Sequence, residues 1–188
     1  MNQTKSEQLS KRVYEELVSM PGGGNIKECI QCGTCSGSCP VAHAMDYFPR
    51  RIIAMLRAGK IEEVLKSDTI WLCASCYSCT VRCPAGVKYT DFMYHLKRTG
   101  EKEGLIPKNK KGLKMAKNFN KVISEWGRSY EPELMVRYNI PNIFNLIKVM
   151  PFGLKLFLKG RMPFFPSKIK GAKHIKKALA AAAKEASK

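Results

Sequence analysis

The eight cysteines of this 188-residue chain fall into two blocks that repeat one spacing. The first block is CIQCGTCSGSCP, from Cys29 to Pro40, and the second is CASCYSCTVRCP, from Cys73 to Pro84. Both fit the pattern C-x2-C-x2-C-x3-C-P, so every cysteine of the chain belongs to the repeat. Thiolates are ligands for iron and zinc, and this spacing is the one that binds iron–sulfur cubanes. The repeat therefore predicts two [4Fe-4S] clusters.

The spacing also predicts which cysteines share a cluster. Three cysteines of a C-x2-C-x2-C loop reach three iron corners of one cubane, whereas the fourth, followed by proline, ligates the other cluster in two-cluster ferredoxins. The first cluster is therefore expected on Cys29, Cys32, Cys35 and Cys83. The second cluster is expected on Cys73, Cys76, Cys79 and Cys39. Small residues between these ligands leave room for backbone N–H groups to approach the cluster sulfurs.

Zinc is the alternative occupant of these thiolates, because C-x2-C pairs also occur in structural zinc sites. A structural zinc site, however, does not require a third nearby cysteine or a Cys-Pro at a fixed offset, and both blocks of this chain have these two features. A disulfide framework fits less well still. The first 20 residues are charged throughout and lack the apolar core of a secretory signal, so a reducing, cytoplasmic location is expected.

The net charge of +18 is concentrated in the half of the chain that has no cysteine. Before position 85 there are 10 Lys and Arg against 8 Asp and Glu, whereas from position 85 onward there are 23 against 7. Such a charge favours acidic partners, which can be protein, nucleic acid or a membrane surface. Docking on an acidic partner protein is the favoured interpretation. No nucleic-acid motif accompanies the lysines, and membrane contact is not expected.

The periodicity of the apolar residues predicts helices around both cysteine blocks. Helices are expected over residues 6–20, 49–59, 61–66, 90–100, 113–126 and 172–186. Beyond residue 130 five prolines interrupt short apolar pieces, so irregular structure is expected there. No segment alternates with period two, and the expected fold class is all-α. Residues 1–26 should form a helix and a Gly-rich turn, residues 27–100 the two-cluster domain, and residues 101–188 a basic helical arm for partner docking.

The doubled motif resembles the α-helical two-cluster ferredoxin module. That module also occurs in iron–sulfur subunits of succinate dehydrogenases and fumarate reductases, and in glycolate and anaerobic glycerol-3-phosphate dehydrogenases. Within this group the chain resembles the two-cluster iron–sulfur subunit of the CoB–CoM heterodisulfide reductases of methanogenic archaea. The likeness lies in the first block and in the runs TIWLCASCYSCTVRCP, VKYTDFMYHLK and MPFFPSKIKG. The CCG repeats of the catalytic subunit are missing, because no cysteine follows Cys83.

The resemblance implies an electron-transfer subunit of an oxidoreductase complex rather than a catalytic one. Its implied partners are a flavin-bearing iron–sulfur subunit, a catalytic CCG-type subunit that reduces the CoM-S-S-CoB heterodisulfide, and an associated hydrogenase or formate dehydrogenase. The residues agree with a relay, since His43, His95 and His174 stand apart from any nucleophile in the sequence. Two alternatives remain: an electron-transfer subunit of another flavin dehydrogenase of the same group, and a zinc-stabilised basic binding protein.

Overall fold

The described residues of this computed structural model are 3–107, 111–140, 143–161 and 169–186. They form helices and turns and contain no strand, which confirms the all-α class. The α-helices are α1 (Gln3–Ser19), α2 (Thr34–Gly37), α3 (Pro49–Arg57), α4 (Ile61–Lys66), α5 (Thr69–Leu72), α6 (Ser78–Val81), α7 (Tyr89–Lys102), α8 (Lys111–Trp126), α9 (Glu131–Asn139), α10 (Ile143–Leu158) and α11 (Ala172–Ala186). Most of the MPFFPSKIKG run lies outside the described residues.

The chain divides into two compact units, Met1–Gly112 and Leu113–Lys188. Both cysteine blocks belong to the first unit. Among the described helices, none combines the length and the apolar character needed to cross a lipid bilayer.

The first unit is built on a stripe of apolar residues along α1. Leu9, Val13 and Leu17 are buried, at the spacing of four that places them on one face of a helix. The helix ends before Pro21, and the chain then turns through Gly22 and Gly23. A Cβ atom at Gly23 would lie 1.9 Å from the Leu17 carbonyl oxygen, so only glycine fits this close return of the chain.

The other helices of the first unit close a single hydrophobic core over this stripe. Its fully buried side chains include Ile52 and Leu56 of α3, Ile61 and Leu65 of α4, Ile70 of α5, and Phe92, Met93 and Leu96 of α7. Five of the eight cysteines pack in or against this core: Cys29, Cys35, Cys73, Cys79 and Cys83. The core therefore fixes where both cysteine blocks lie.

The second unit differs from the sequence expectation of irregular structure beyond residue 130. Pro132 lies in the first turn of α9, where proline has no hydrogen bond to lose and its fixed φ favours the helix. Pro151 lies inside α10, and the helix continues through it. Its missing N–H leaves one carbonyl without a helical partner, but an exposed helix can satisfy that carbonyl with water. The prolines therefore begin or interrupt helices here without preventing them.

Candidate iron–sulfur centres

The two cysteine loops have the same backbone conformation at equivalent positions. In the first loop Gln31 and Gly33 have positive φ angles of 58° and 84°. In the second loop Ser75 and Tyr77 have positive φ angles of 54° and 61°. Left-handed residues within such turns direct successive N–H groups to one side, and such nests bind anions, including iron–sulfur clusters. A short helix follows each loop, α2 in the first and α6 in the second, and the two helices contact each other.

The contact between α2 and α6 brings cysteines of both blocks around a first cavity. Its lining includes the set predicted for the first cluster, Cys29, Cys32, Cys35 and Cys83, together with Cys79. The rest of the wall includes Arg50 and Ile53 of α3 and Val87 and Tyr89 before and at the start of α7. The fourth cysteine of the second block thus lies with the first three cysteines of the first block.

A second cavity collects the remaining cysteines in the reciprocal arrangement. Its lining includes the set predicted for the second cluster, Cys39, Cys73, Cys76 and Cys79. Tyr77, Tyr89 and Thr90 complete much of its wall. Cys79 and Tyr89 line both cavities, so the two are neighbours.

None of the eight cysteines forms a disulfide. Among the described residues no group of three or more His, Cys, Asp and Glu side chains is arranged to hold a metal ion. A cubane binds each of its thiolates to a separate iron, so its cysteines line a cavity instead of converging on one point. The two neighbouring cavities are therefore each lined by the four thiols predicted for one cluster, a donor set that fits two cubanes.

Hydrogen bonds already reach several of these sulfur atoms. The Val87 N–H donates to Cys83 Sγ at 3.3 Å, and the Gln31 side-chain amide donates to Cys29 Sγ at 3.4 Å. Cys32 Sγ lies 3.2 Å from the hydroxyl of Thr34. N–H and O–H groups that donate to cluster sulfurs stabilise added negative charge, and so they raise the reduction potential.

Burial separates an outer from an inner thiol in each loop. Hydrogen bonding by Thr34 lowers the pKa of Cys32, and the Ser78 backbone N–H lowers the pKa of Cys76. Both of these thiols are exposed. Burial instead raises the pKa values of Cys35 and Cys79. Each cavity therefore has an outer thiol at the surface, with a lowered pKa, and an inner thiol toward the core, with a raised pKa.

Arg50 and Tyr89 are wall residues that the sequence does not single out. The Arg50 side chain contributes to the lower pKa of Cys32, and its backbone N–H donates to Ser36 Oγ of α2 at 3.0 Å. Arg50 follows the helix-starting Pro49, which is the only signal for its position. Tyr89 opens α7 and is almost completely buried.

Trp71, which flanks the second block, packs against the hydrophobic core and lines neither cavity. The three histidines do not line these cavities either. His95 Nε2 instead lies 2.9 Å from Glu16 Oε2, which joins α7 to α1. The described histidines are therefore not part of the candidate centres.

Comparison with known proteins gives a match over the region that contains all eight cysteines. Residues 25–87 match the family described as 4Fe-4S dicluster domain. The iron-sulfur subunit of the CoB–CoM heterodisulfide reductase of Methanopyrus kandleri is 40% identical over 101 residues, which are 54% of this chain and 50% of that protein.

Two further relatives are named as corresponding subunits of similar enzymes. One, from the H(2):CoB-CoM heterodisulfide,ferredoxin reductase of Methanothermobacter marburgensis, is 37% identical over 50% of each chain. The other, from the ferredoxin:CoB-CoM heterodisulfide reductase of Methanosarcina mazei, is 38% identical over 49% of this chain and 58% of its own. The chain thus spans about half the length of the curated relatives it matches. Residues 25–87 therefore form a domain for two [4Fe-4S] clusters, and about half of the chain is related to the iron–sulfur subunits of heterodisulfide reductases.

Proposed function

We propose that this chain is the electron-transfer subunit of a heterodisulfide reductase complex. It passes electrons from a flavin-bearing subunit to a CCG-type subunit, which reduces the CoM-S-S-CoB heterodisulfide. The observation that carries the proposal is the pair of neighbouring cavities, each lined by four predicted cysteine ligands and both lined by Cys79. The names of the relatives supply the type of complex.

The chain's own residues hold, bury and adjust the two centres. When bound, two cubanes supply one-electron chemistry at the two cavities. Cys29, Cys32, Cys35 and Cys83 would hold the first, and Cys73, Cys76, Cys79 and Cys39 the second. The Val87 N–H donates a hydrogen bond to Cys83 of the first set, and the Thr34 hydroxyl lies within hydrogen-bonding distance of Cys32. The apolar core packs around the inner thiols.

The exposure of the thiols indicates the route that electrons would take through the protein. Cys32 and Cys76 are exposed, whereas Cys79 is buried between the two cavities. Transfer from one centre to the other would therefore take place within the core, near Cys79. Exchange with the partner proteins would take place at the surfaces around Cys32 and Cys76.

We assign partner docking to the basic arm, residues 101–188, and within it to α10. Ile147, Met150, Leu154 and Leu158 follow spacings of three, four and four, so they lie on one face of this helix. All four are exposed, from 57% at Ile147 to 76% at Leu158. A soluble protein seldom leaves such a row uncovered, and a row at these positions is the pattern of a helix that binds in an apolar groove.

The charge beside this face points to an acidic partner protein. A second stripe consists of Lys148 and Lys155 of α10 and Lys159 directly after it, at spacings of seven and four, and all three are exposed. Residues 134–184 contain eleven Lys and Arg and no Asp or Glu. An apolar groove with an acidic rim would complement both stripes.

Anaerobic isolation of the complex from native cells tests this function. The chain should be accompanied by a large flavin subunit and a cysteine-rich CCG-type subunit, and redox titration of the chain alone should show two one-electron steps. The isolated chain should not reduce the heterodisulfide. Flavin dehydrogenase partners of another class would support the first alternative, and a redox-inactive zinc protein would support the second.

A further inference from the structure

Tyr89 has a position that no other tyrosine of the described residues shares. It is the first residue of α7, its exposed fraction is 2%, and it lines both cavities. Its ring therefore lies in the core where the two candidate centres adjoin.

The hydroxyl group of Tyr89 is buried without a hydrogen-bond partner among the described residues. Tyrosine hydroxyls usually have a partner when they are buried, because leaving one unpaired costs its desolvation free energy. An unpaired hydroxyl beside a ligand cavity points to an acceptor that the polypeptide itself does not supply.

Predicted ligands of both centres lie near Tyr89. Cys79 lines both cavities, as Tyr89 does. Burial raises the pKa of Tyr89 well above its ordinary value, and the nearby cysteines Cys73, Cys79, Cys39 and Cys35 raise it further. Cys35 is a predicted ligand of the first cluster and the other three are predicted ligands of the second, so both centres offer sulfur atoms as acceptors for this hydroxyl.

We propose that the Tyr89 hydroxyl donates a hydrogen bond to a sulfur atom of one of the two [4Fe-4S] centres that it adjoins and thereby raises the reduction potential of that centre. This inference rests on the proposed function, because it needs clusters in both cavities. Reduction adds negative charge to the cluster, and a donated hydrogen bond stabilises the reduced form more than the oxidised form. The difference between the two potentials would then depend on one residue at the boundary between the centres.

The test compares Tyr89→Phe with Tyr94→Phe in the anaerobically purified full chain. Tyr89→Phe removes only the hydroxyl and keeps the ring that fills the wall. Tyr94 is on the same helix, is 42% exposed and lines neither cavity, so its variant is the matched control. Potentiometric titration followed by EPR gives both potentials, and Cys32→Ser and Cys76→Ser variants assign each potential to one centre.

The expected result is a more negative potential of one centre in Tyr89→Phe, with the potential of the other nearly unchanged and Tyr94→Phe like the wild type. Two clusters with unchanged potentials in Tyr89→Phe, or equal shifts of both potentials, would contradict the inference alone. Wild-type protein without cluster signals would overturn both this inference and the proposed function.

A structure of the cluster-loaded wild-type protein tests the inference without any variant, should Tyr89→Phe fail to assemble. The Tyr89 oxygen should lie within hydrogen-bonding distance of a sulfide or cysteine sulfur of one of the two centres. A hydroxyl turned toward a protein acceptor instead would show that the inference is wrong.

Discussion

Gly33 and Tyr77 occupy the same position in the two cysteine loops, and both have a left-handed backbone, with φ angles of 84° and 61°. Glycine adopts this conformation without strain, whereas a residue with a Cβ does so at a cost. The second loop therefore keeps a strained residue where the first has an unstrained one. The Tyr77 ring lines the second cavity and its hydroxyl is held by Asp91, which gives the strained residue contacts that glycine cannot make.

Gly33→Ala should destabilise the protein by about 1–2 kcal/mol, because alanine must take the left-handed conformation. No clash adds to this cost, since the nearest atom to a new Cβ is Arg50 Nη1 at 3.7 Å. Gly37→Ala is the matched control: Gly37 lies in α2, its φ is not positive, and its surroundings are open. Anaerobic denaturant unfolding measures both variants, and equal losses of stability would contradict the strain argument.

The crossed ligand sets predict an unusual pattern of damage in serine variants. Cys39→Ser should perturb the same cluster as Cys76→Ser, although Cys39 belongs to the first block. Cys83→Ser should perturb the same cluster as Cys32→Ser. EPR spectra of the reduced variants show which cluster each one perturbs, because two variants that perturb the same cluster should lose or alter the same signal. If each variant matched the other members of its own block, the crossed assignment would be wrong.

Glu62 should make the stability of the first unit depend on pH. Lys66 Nζ donates to Glu62 Oε1 at 2.6 Å and Ser6 Oγ donates to Oε2 at 2.5 Å, and these hydrogen bonds lower the pKa of the carboxyl group. A carboxyl group whose pKa is lower in the folded state stabilises the fold at pH values above its unfolded-state pKa. This contribution is lost as the pH falls through the folded-state pKa.

Glu62→Gln should therefore lower the free energy of unfolding at neutral pH and have little effect once the pH is below the folded-state pKa. Glu63→Gln is the control, because Glu63 makes only a longer ion pair, 3.7 Å to Lys60, on the exposed side of α4. Anaerobic unfolding at several pH values measures the difference. If Glu62→Gln lowered the free energy of unfolding by the same amount at neutral pH and below the folded-state pKa of Glu62, the electrostatic explanation would be contradicted.

The exposed face of α10 should be needed for assembly but not for folding. Leu154→Glu puts a charge in the middle of the apolar row and should reduce partner recovery at least about tenfold, as loss of a central apolar contact does. Leu179→Glu on α11 is the control, since Leu179 is a similarly exposed leucine of the same unit. Co-isolation under anaerobic conditions measures recovery, and equal recovery of both variants would show that α10 is not the docking helix.

Periodicity and helix-start signals predict much of the first unit. The buried stripe of α1 and the start of α3 at Pro49 follow from residue types alone, and both are present. The helices α2 and α6 are not predicted, because each has only four residues and depends on the left-handed residue before it. A left-handed tyrosine at position 77 has no sequence signal, since tyrosine disfavours that conformation.

The second unit and the cavity walls are predicted less well. By local sequence rules, Pro132 and Pro151 predict that a helix ends. Whether a proline ends a helix depends on its position, and here Pro132 lies in a first turn and Pro151 lies within an exposed helix. Tyr89 cannot be identified from sequence as a residue between two centres, because that role arises only from the packing of α7 against both loops. The assignment of four cysteines to each cluster remains a prediction that the two cavity linings support.

EPR spectroscopy of the fully reduced chain, with iron analysis of the same sample, tests whether the two cavities hold neighbouring cubanes. We expect about eight iron atoms per chain and the signals of two reduced cubanes, broadened by magnetic interaction because Cys79 and Tyr89 line both cavities. A colourless protein that contains zinc, or two clusters without any magnetic interaction, would contradict this expectation.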